Sequence, residues 1–337
     1  MPTGANPVTT VSRSYGRIGA VGRLAQLVAR FLHTEEVIGS SPVSPTVSIN
    51  RTSINRTTSS ASVRRSVVVS GASTGIGRAT VTELVGAGFH VWGTVRSEKD
   101  AASLVSEFGD SVSPLLVDLL DHDSVRAAGA TVVASGPLHG LVNNAGVALP
   151  APLEFMPIDV FERQLDINLV GQLLMTQVML PALFAADDAR IVFIGSVSGR
   201  ISTPILGAYS ASKHGVVGLV GSLRSELAPY GIRVCLVEPG VIATPIWDRG
   251  AAAGDEVIDA IPAENARYLA QIANARERAS HGSAGLDPRA VGRVVLKALT
   301  SRNPVPRQTV GRDGKLIAFF SRVLPFRAIY RITAAKT

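Results

Sequence analysis

Cysteine is nearly absent. The 337 residues contain one, Cys235, inside an apolar run. A single thiol builds neither an intrachain disulfide framework nor a cysteine-based metal site. A buried strand thiol is the expected role, ahead of a nucleophile. No apolar run reaches the roughly 20 residues of a membrane-crossing helix, and no internal repeat is visible. Charge is also sparse, at 18% of residues, against 46% hydrophobic. That balance supports a large core and excludes global disorder.

The net charge of +7 invites a nucleic-acid reading, but its distribution argues against one. Residues 1–65 hold eight basic and two acidic residues, and residues 301–337 hold eight basic and one acidic. The stretch between them holds 17 basic and 23 acidic residues, so the body is mildly acidic. Basic ends on an acidic body suit surface or membrane contacts better than a nucleic-acid groove, so no nucleic-acid partner is expected.

Residues 1–64 are rich in Ser, Thr, Pro and Arg without a sustained period, and read as a disordered extension. Within them, Ala25-Gln26-Leu27-Val28 and Gly39-Ser40-Ser41-Pro42 resemble the D-arm and T-arm of a bacterial transfer-RNA gene translated in frame. A start placed too far upstream is one reading. An Arg- and Ser-rich targeting peptide is the other.

From Ser66 onward apolar runs alternate with helical stretches, the pattern of βαβ units on a parallel sheet. Strands are expected at Ser66–Ser70, His90–Val95, Ser113–Val117, Gly140–Asn143, Ile191–Ile194 and Arg233–Val237. A last one is expected near Arg307–Val310, with helices such as Gly77–Ala87 and Phe161–Phe184 between.

The first strand runs into Gly71-Ala72-Ser73-Thr74-Gly75-Ile76-Gly77, and a helix follows. Glycines there let backbone approach a dinucleotide pyrophosphate, and the helix N-terminus offers free N–H groups. No Gly-Lys-Ser/Thr follows, so a Walker loop is not supported. The second strand ends Val95-Arg96, without the acid that would bind a ribose 2′-hydroxyl. Arg96 could instead fork to a 2′-phosphate, which favours NADP(H) over NAD(H).

Tyr209 and Lys213 are four apart, on one helix face. An ammonium beside a phenol, together with an oxidised nicotinamide, favours the phenolate and lowers its pKa. Tyr209 can then exchange a proton with an alcohol or ketone. Ser196 follows an apolar strand, where ligands bind in such sheets, and can hydrogen-bond the reacting oxygen.

With the glycine loop, these residues make the chain resemble the short-chain dehydrogenase/reductase family, over about Val63 to Thr300. The resemblance extends to Asn143-Asn144-Ala145-Gly146, to Asp118 and Leu119 as adenine-pocket residues, and to Asn168, which in the family bridges a water to the lysine. It also extends to Pro239, Gly240, Ile242 and Thr244 on the carboxamide side of nicotinamide. Its implications are a catalytic set of Asn168, Ser196, Tyr209 and Lys213, and a cofactor site of Gly71, Ser73, Thr74, Gly75, Ile76, Gly77, Arg96, Asp118, Leu119, Asn144, Ala145, Gly146, Tyr209, Lys213 and the Pro239–Thr244 segment. Thr74 departs from the Arg or Lys that NADP-preferring members often carry, so the NADP(H) assignment rests on Arg96. The Trp92–Arg96 run is similar to the hydroxysteroid- and retinol-dehydrogenase-like branch.

The expected fold is α/β, a doubly wound parallel sheet (Rossmann fold) in a single domain over 65–337. It would carry a substrate lid over about 246–286, with a helix at Asn265–Ala279, and an amphipathic basic tail over about 313–332. The expected activity is reversible hydride transfer, on CH–OH groups, between nicotinamide and an apolar ketone, aldehyde or secondary alcohol of steroid-, retinoid- or lipid-like character. A non-catalytic NADP-binding sensor or scaffold is the alternative. The resemblance implies a homo-dimer or tetramer and a cytoplasmic enzyme. For the tail, packing on the domain or a subunit interface competes with peripheral membrane contact.

Overall fold

The computed structural model describes residues 64–280 and 285–334. The expected extension and its transfer-RNA-like segments lie outside them, apart from Arg64. Seven strands make one sheet: β1 Ser66–Val69, β2 His90–Val95, β3 Val112–Leu116, β4 Gly140–Asn143, β5 Arg190–Ile194, β6 Arg233–Pro239 and β7 Arg307–Val310. Their spatial order is β3-β2-β1-β4-β5-β6-β7, with every pair parallel. The order reverses between β1 and β4, so the loops leaving those two strands diverge and open a crevice at the carboxyl edge.

Helices cover both faces, so every central strand is buried on both sides and alternates between two cores. Val68, Leu141, Ile191, Phe193 and Leu236 point into one. Val67, Val69, Val142, Val192, Ile194, Cys235 and Val237 point into the other. Each such side chain contributes about 1.5–3 kcal/mol on full burial. Cys235 is the buried strand thiol the sequence suggested, and burial pushes its pKa up.

The helices are α1 Gly75–Gly86, α2 Glu98–Phe108, α3 His122–Ala134, α4 Ile158–Leu165, α5 Gly171–Phe184, α6 Gly207–Leu227, α7 Ile246–Asp259, α8 Leu269–Ser280, α9 Arg289–Thr300, α10 Arg312–Val323 and α11 Phe326–Ala334. Two expectations change. A π turn at Asp166–Val170 joins α4 to α5, making one 27-residue stretch long and apolar enough to cross a membrane by length and composition. Its buried residues include Met175, Met179 and Leu183, which belong to the core under the sheet, so its apolarity has a packing cause. The tail forms two helices instead of one stripe, because Pro325 lacks an N–H and breaks the run after Val323.

The lid is α7 followed by a kink at Asn265 and α8, so the expected helix begins four residues later than its sequence suggested. An isolated bridge between Ile242 and Leu286 ties its far end back to the body.

Candidate active site

Three glycines of the first loop meet three separate demands. Gly71 and Gly75 have φ of +65° and +55°, the left-handed region where a side chain is strained. Gly77 has no such angle, but a Cβ there would sit 2.0 Å from the Gly71 carbonyl oxygen. The turn is then fastened from its neighbours. Ser70 Oγ accepts from the Asn144 and Ala145 N–H groups at 2.9 and 3.0 Å. Asn144 Nδ2 donates to the Ser70 carbonyl at 2.9 Å, and Gly71 N–H donates to Thr94 Oγ1 at 3.1 Å. The loops after β1 and β4 are thus locked to one another across the crevice.

Helix α1 starts without a side-chain cap and with no acid in its first turn. A helix start left this way suits an anion. The crevice it faces has a volume of about 390 Å³. Its wall carries Arg96, Arg163, Lys213 and Arg249, against a single carboxylate, Asp118. Backbone bared by glycine and an uncapped helix start fit a dinucleotide phosphate chain.

Of the residues read from sequence, Gly71, Ser73, Thr74, Gly75, Ile76, Arg96, Asp118, Leu119, Asn144, Ala145, Gly146, Ser196, Tyr209, Lys213, Pro239, Gly240, Ile242 and Thr244 all line this crevice. Gly77 and Asn168 do not. Gly77 lies beneath the turn. Asn168 is fully buried one layer behind, in the π turn. Its Oδ1 accepts from the Val147 N–H at 2.8 Å, and its Nδ2 donates to the Val147 carbonyl and to Ser212 Oγ. Ser212 Oγ in turn donates to the Tyr209 carbonyl at 2.7 Å. The Asn168 side chain therefore holds α6 against the β4 loop. Gly146 lies between it and the lysine, since a Cβ there would be 3.0 Å from Asn168 Oδ1 and 3.7 Å from Lys213 Nζ.

Tyr209 and Lys213 are both buried on one face of α6. Lys213 Nζ donates to the Ile194 carbonyl at 3.0 Å and lies 5.6 Å from the Tyr209 ring centre. Burial pushes the Tyr209 phenol up to about 12, and a hydrogen bond from Ser196 offsets only part of that. Burial also lowers Lys213 to about 8. The protein's own groups thus act against the lowered phenol expected from sequence, because loss of water outweighs the hydrogen bond from Ser196. At neutral pH Tyr209 holds its proton and is an acid.

Arg96 stands exposed at the crevice rim with no ion-pair or hydrogen-bond partner among the described residues. Arg78, the other cation beside the loop, is held by Glu107, Ser103 and the Ser73 carbonyl. Arg96 is therefore the cation free to meet a phosphate there.

Sequence reading missed several residues. Trp247 places its ring edge-on to Tyr209, with centres 5.9 Å apart. A lone large aromatic just after the Pro-Gly segment was the available signal. Arg163 on α4 and Arg249 on α7 also line the crevice, and nothing in their sequence surroundings singled them out. The lid packs closely. A Cβ at Gly250 or Gly254 would lie 2.1 or 2.3 Å from the carbonyl oxygens of Ala148 and Pro150. Glu154 then clasps the lid's other arm, accepting from Tyr268 Oη at 2.7 Å and pairing with Arg267.

Comparison with known proteins gives a consistent picture. The model of the short chain dehydrogenase family matches residues 65–253. The 3-amino-tetrahydro-pyrrolizinone reductase of Xenorhabdus hominickii is 39% identical over 199 residues, 58% of this chain and 68% of its own. The NADPH-dependent 3-dehydrocapnine reductase of Ornithobacterium rhinotracheale is 31% identical over 275 residues, 80% of this chain and 95% of its own. Human retinol dehydrogenase 5 is 32% identical over 272 residues, 77% of this chain and 84% of its own.

Proposed function

The chain belongs to the short-chain dehydrogenase/reductase family and is a nicotinamide-dependent oxidoreductase of carbonyl and alcohol groups, and from that premise we propose an NADPH-dependent reductase of largely apolar ketones or aldehydes. The observation that carries the proposal is the meeting of Ser196, protonated Tyr209 and Lys213 on the wall of a cationic crevice. A nicotinamide dinucleotide held by the glycine loop Gly71–Gly77 and the start of α1 would supply the hydride.

The remaining work falls to the chain. Ser196 donates a hydrogen bond to the substrate oxygen and fixes its position. Tyr209, kept protonated by burial, gives that oxygen its proton. The tyrosinate left behind is stabilised by the Lys213 ammonium. Asn168 keeps α6 and the β4 loop in register through Val147 and Ser212. Run backwards, the same groups serve alcohol oxidation. Arg96 supports preference for a 2′-phosphate, as does the NADPH dependence of the Ornithobacterium relative. The apolar side of the reading draws on Leu149, Ile246 and Trp247 in the crevice wall.

The tail supplies a second part of the proposal. Its first turn is docked, since Asp313 accepts from the Val241 N–H at 2.7 Å, beside Gly240 of the crevice. Beyond that, Phe319, Val323 and Phe326 are 58%, 56% and 71% exposed, among Arg322, Arg327 and Arg331. Apolar anchors interleaved with arginines suit an anionic membrane surface. A cut at Asn303 would also remove β7 and the Arg307 pair to buried Glu238, so substitution is the fair test. Phe319→Gln with Phe326→Gln should abolish co-sedimentation with phosphatidylglycerol vesicles and leave turnover of a soluble ketone intact. Loss of fold or of all turnover would make the tail structural. The reductase reading is tested by NADPH consumption over ketones and aldehydes graded by size, and no turnover on any of them would refute it.

A further inference from the structure

Arg163 and Arg249 are the crevice cations with no task in the account so far. Arg96 sits at the adenosine end and Lys213 by the acid. Neither Arg163 nor Arg249 has an ion-pair or hydrogen-bond partner for its side chain among the described residues, and no carboxylate at their end of the crevice answers them.

The two come from separate elements, α4 and the lid helix α7, which both pack on one bend of chain. Gln164, next to Arg163, accepts from the Leu149 N–H. Gly250, next to Arg249, stacks on the Ala148 carbonyl. Both elements are thereby anchored on residues 148–149, and both arginines line the same crevice. The phosphate loop meets a different part of the lid segment, with Gly75 against Thr244 and Pro245. Both residues are exposed on the crevice wall, so an anion entering there meets two cations with no carboxylate beside them.

We propose that Arg163 and Arg249 form a grip for an anionic group, a carboxylate, phosphate or sulfonate, at the end of an otherwise apolar substrate. The substrate class is then an amphiphile with its carbonyl at Tyr209 and its anion between α4 and the lid. Trp247, against the Tyr209 ring and two residues from Arg249, links the two ends. This inference rests on the reductase reading for its carbonyl, but binding tests it without turnover.

The test compares decanoate with decan-1-ol, by calorimetry on the NADPH-loaded protein. The wild type should bind decanoate at least about tenfold more tightly, a typical margin for a paired charge. Arg163→Gln with Arg249→Gln should erase that ratio. Equal affinities in the wild type would overturn the proposal. So would a double variant that weakens NADPH while keeping the decanoate preference, since the arginines would then serve the cofactor's phosphates. Selective decanoate binding by a protein that reduces no carbonyl would sink the reductase reading and leave this inference standing.

Discussion

The two walls of the crevice are built on different rules. On the β1–β4 wall, backbone meets backbone. Ser70, Gly71, Asn144 and Ala145 are joined by hydrogen bonds, and the glycines are demanded by φ or by contact. On the lid wall the crevice is lined mainly by side chains, Ile246, Trp247 and Arg249, and Gly250 and Gly254 pack that helix on Ala148 and Pro150. On the proposed reading, a phosphate chain of fixed shape would be met by fixed backbone, and the substrate by exchangeable side chains. The first wall can break only by losing its fold. The second can change its preference.

Matching a glycine on each wall sharpens the contrast. Gly77→Ala puts a methyl 2.0 Å from a carbonyl at the heart of the phosphate turn. It should weaken NADPH binding by more than about a hundredfold, because the turn must shift and overpacking of this kind costs roughly 1–3 kcal/mol or more. Tryptophan-fluorescence titration reads it, and unaltered binding would remove the close-approach argument. Arg96→Asp comes next. It should move the NADPH-to-NADH ratio of kcat/KM by about ten- to a hundredfold toward NADH, since one charge-assisted contact is worth roughly 1.5–3 kcal/mol. A wild type that uses NADH equally well would show that Arg96 selects nothing. Gly254→Ala should act least on the cofactor. It lifts α7 from Pro150 and should raise substrate KM by several-fold, with NADPH affinity held. Equal effects on both ligands would dissolve the distinction between the walls.

Lys213 gives a pH test of the chemistry between those walls. Burial lowers it to about 8, so its charge is present below that pH and is lost as pH rises through it. Tyr209, at about 12, stays protonated throughout. The rate of ketone reduction should hold through neutrality and fall above about pH 8, as the cation that stabilises the tyrosinate disappears. A profile rising across that interval would mean the lysine's charge opposes proton delivery.

The sequence exposed these walls unequally. β1, β2 and β4–β7 could be read to within a residue or two; for β1, β4, β5 and β6 the cause is a short apolar run between turn signals, buried on both faces. β3 is displaced by one residue, with Pro114 inside it. The phosphate turn was legible because glycine leaves a local mark. The π turn at Asn168 was not, since its residues are ordinary helix formers and the shift to wider hydrogen bonding has no compositional sign. Arg163 and Arg249 were missed for another reason. Each looks like a solvated helix residue and is exposed, and only the fold shows that both line one crevice. The direction of the Tyr209 shift needed the structure as well, because burial of both partners decides it.

The account stands on Tyr209 as the proton donor. Its most direct test is single-turnover NADPH oxidation by Tyr209→Phe with a ketone that the wild type reduces. The rate should fall by at least about a hundredfold, the usual worth of acid catalysis, while NADPH still binds in the crevice. A variant that keeps more than about a tenth of the wild-type rate would show that the proton comes from elsewhere and would contradict the account.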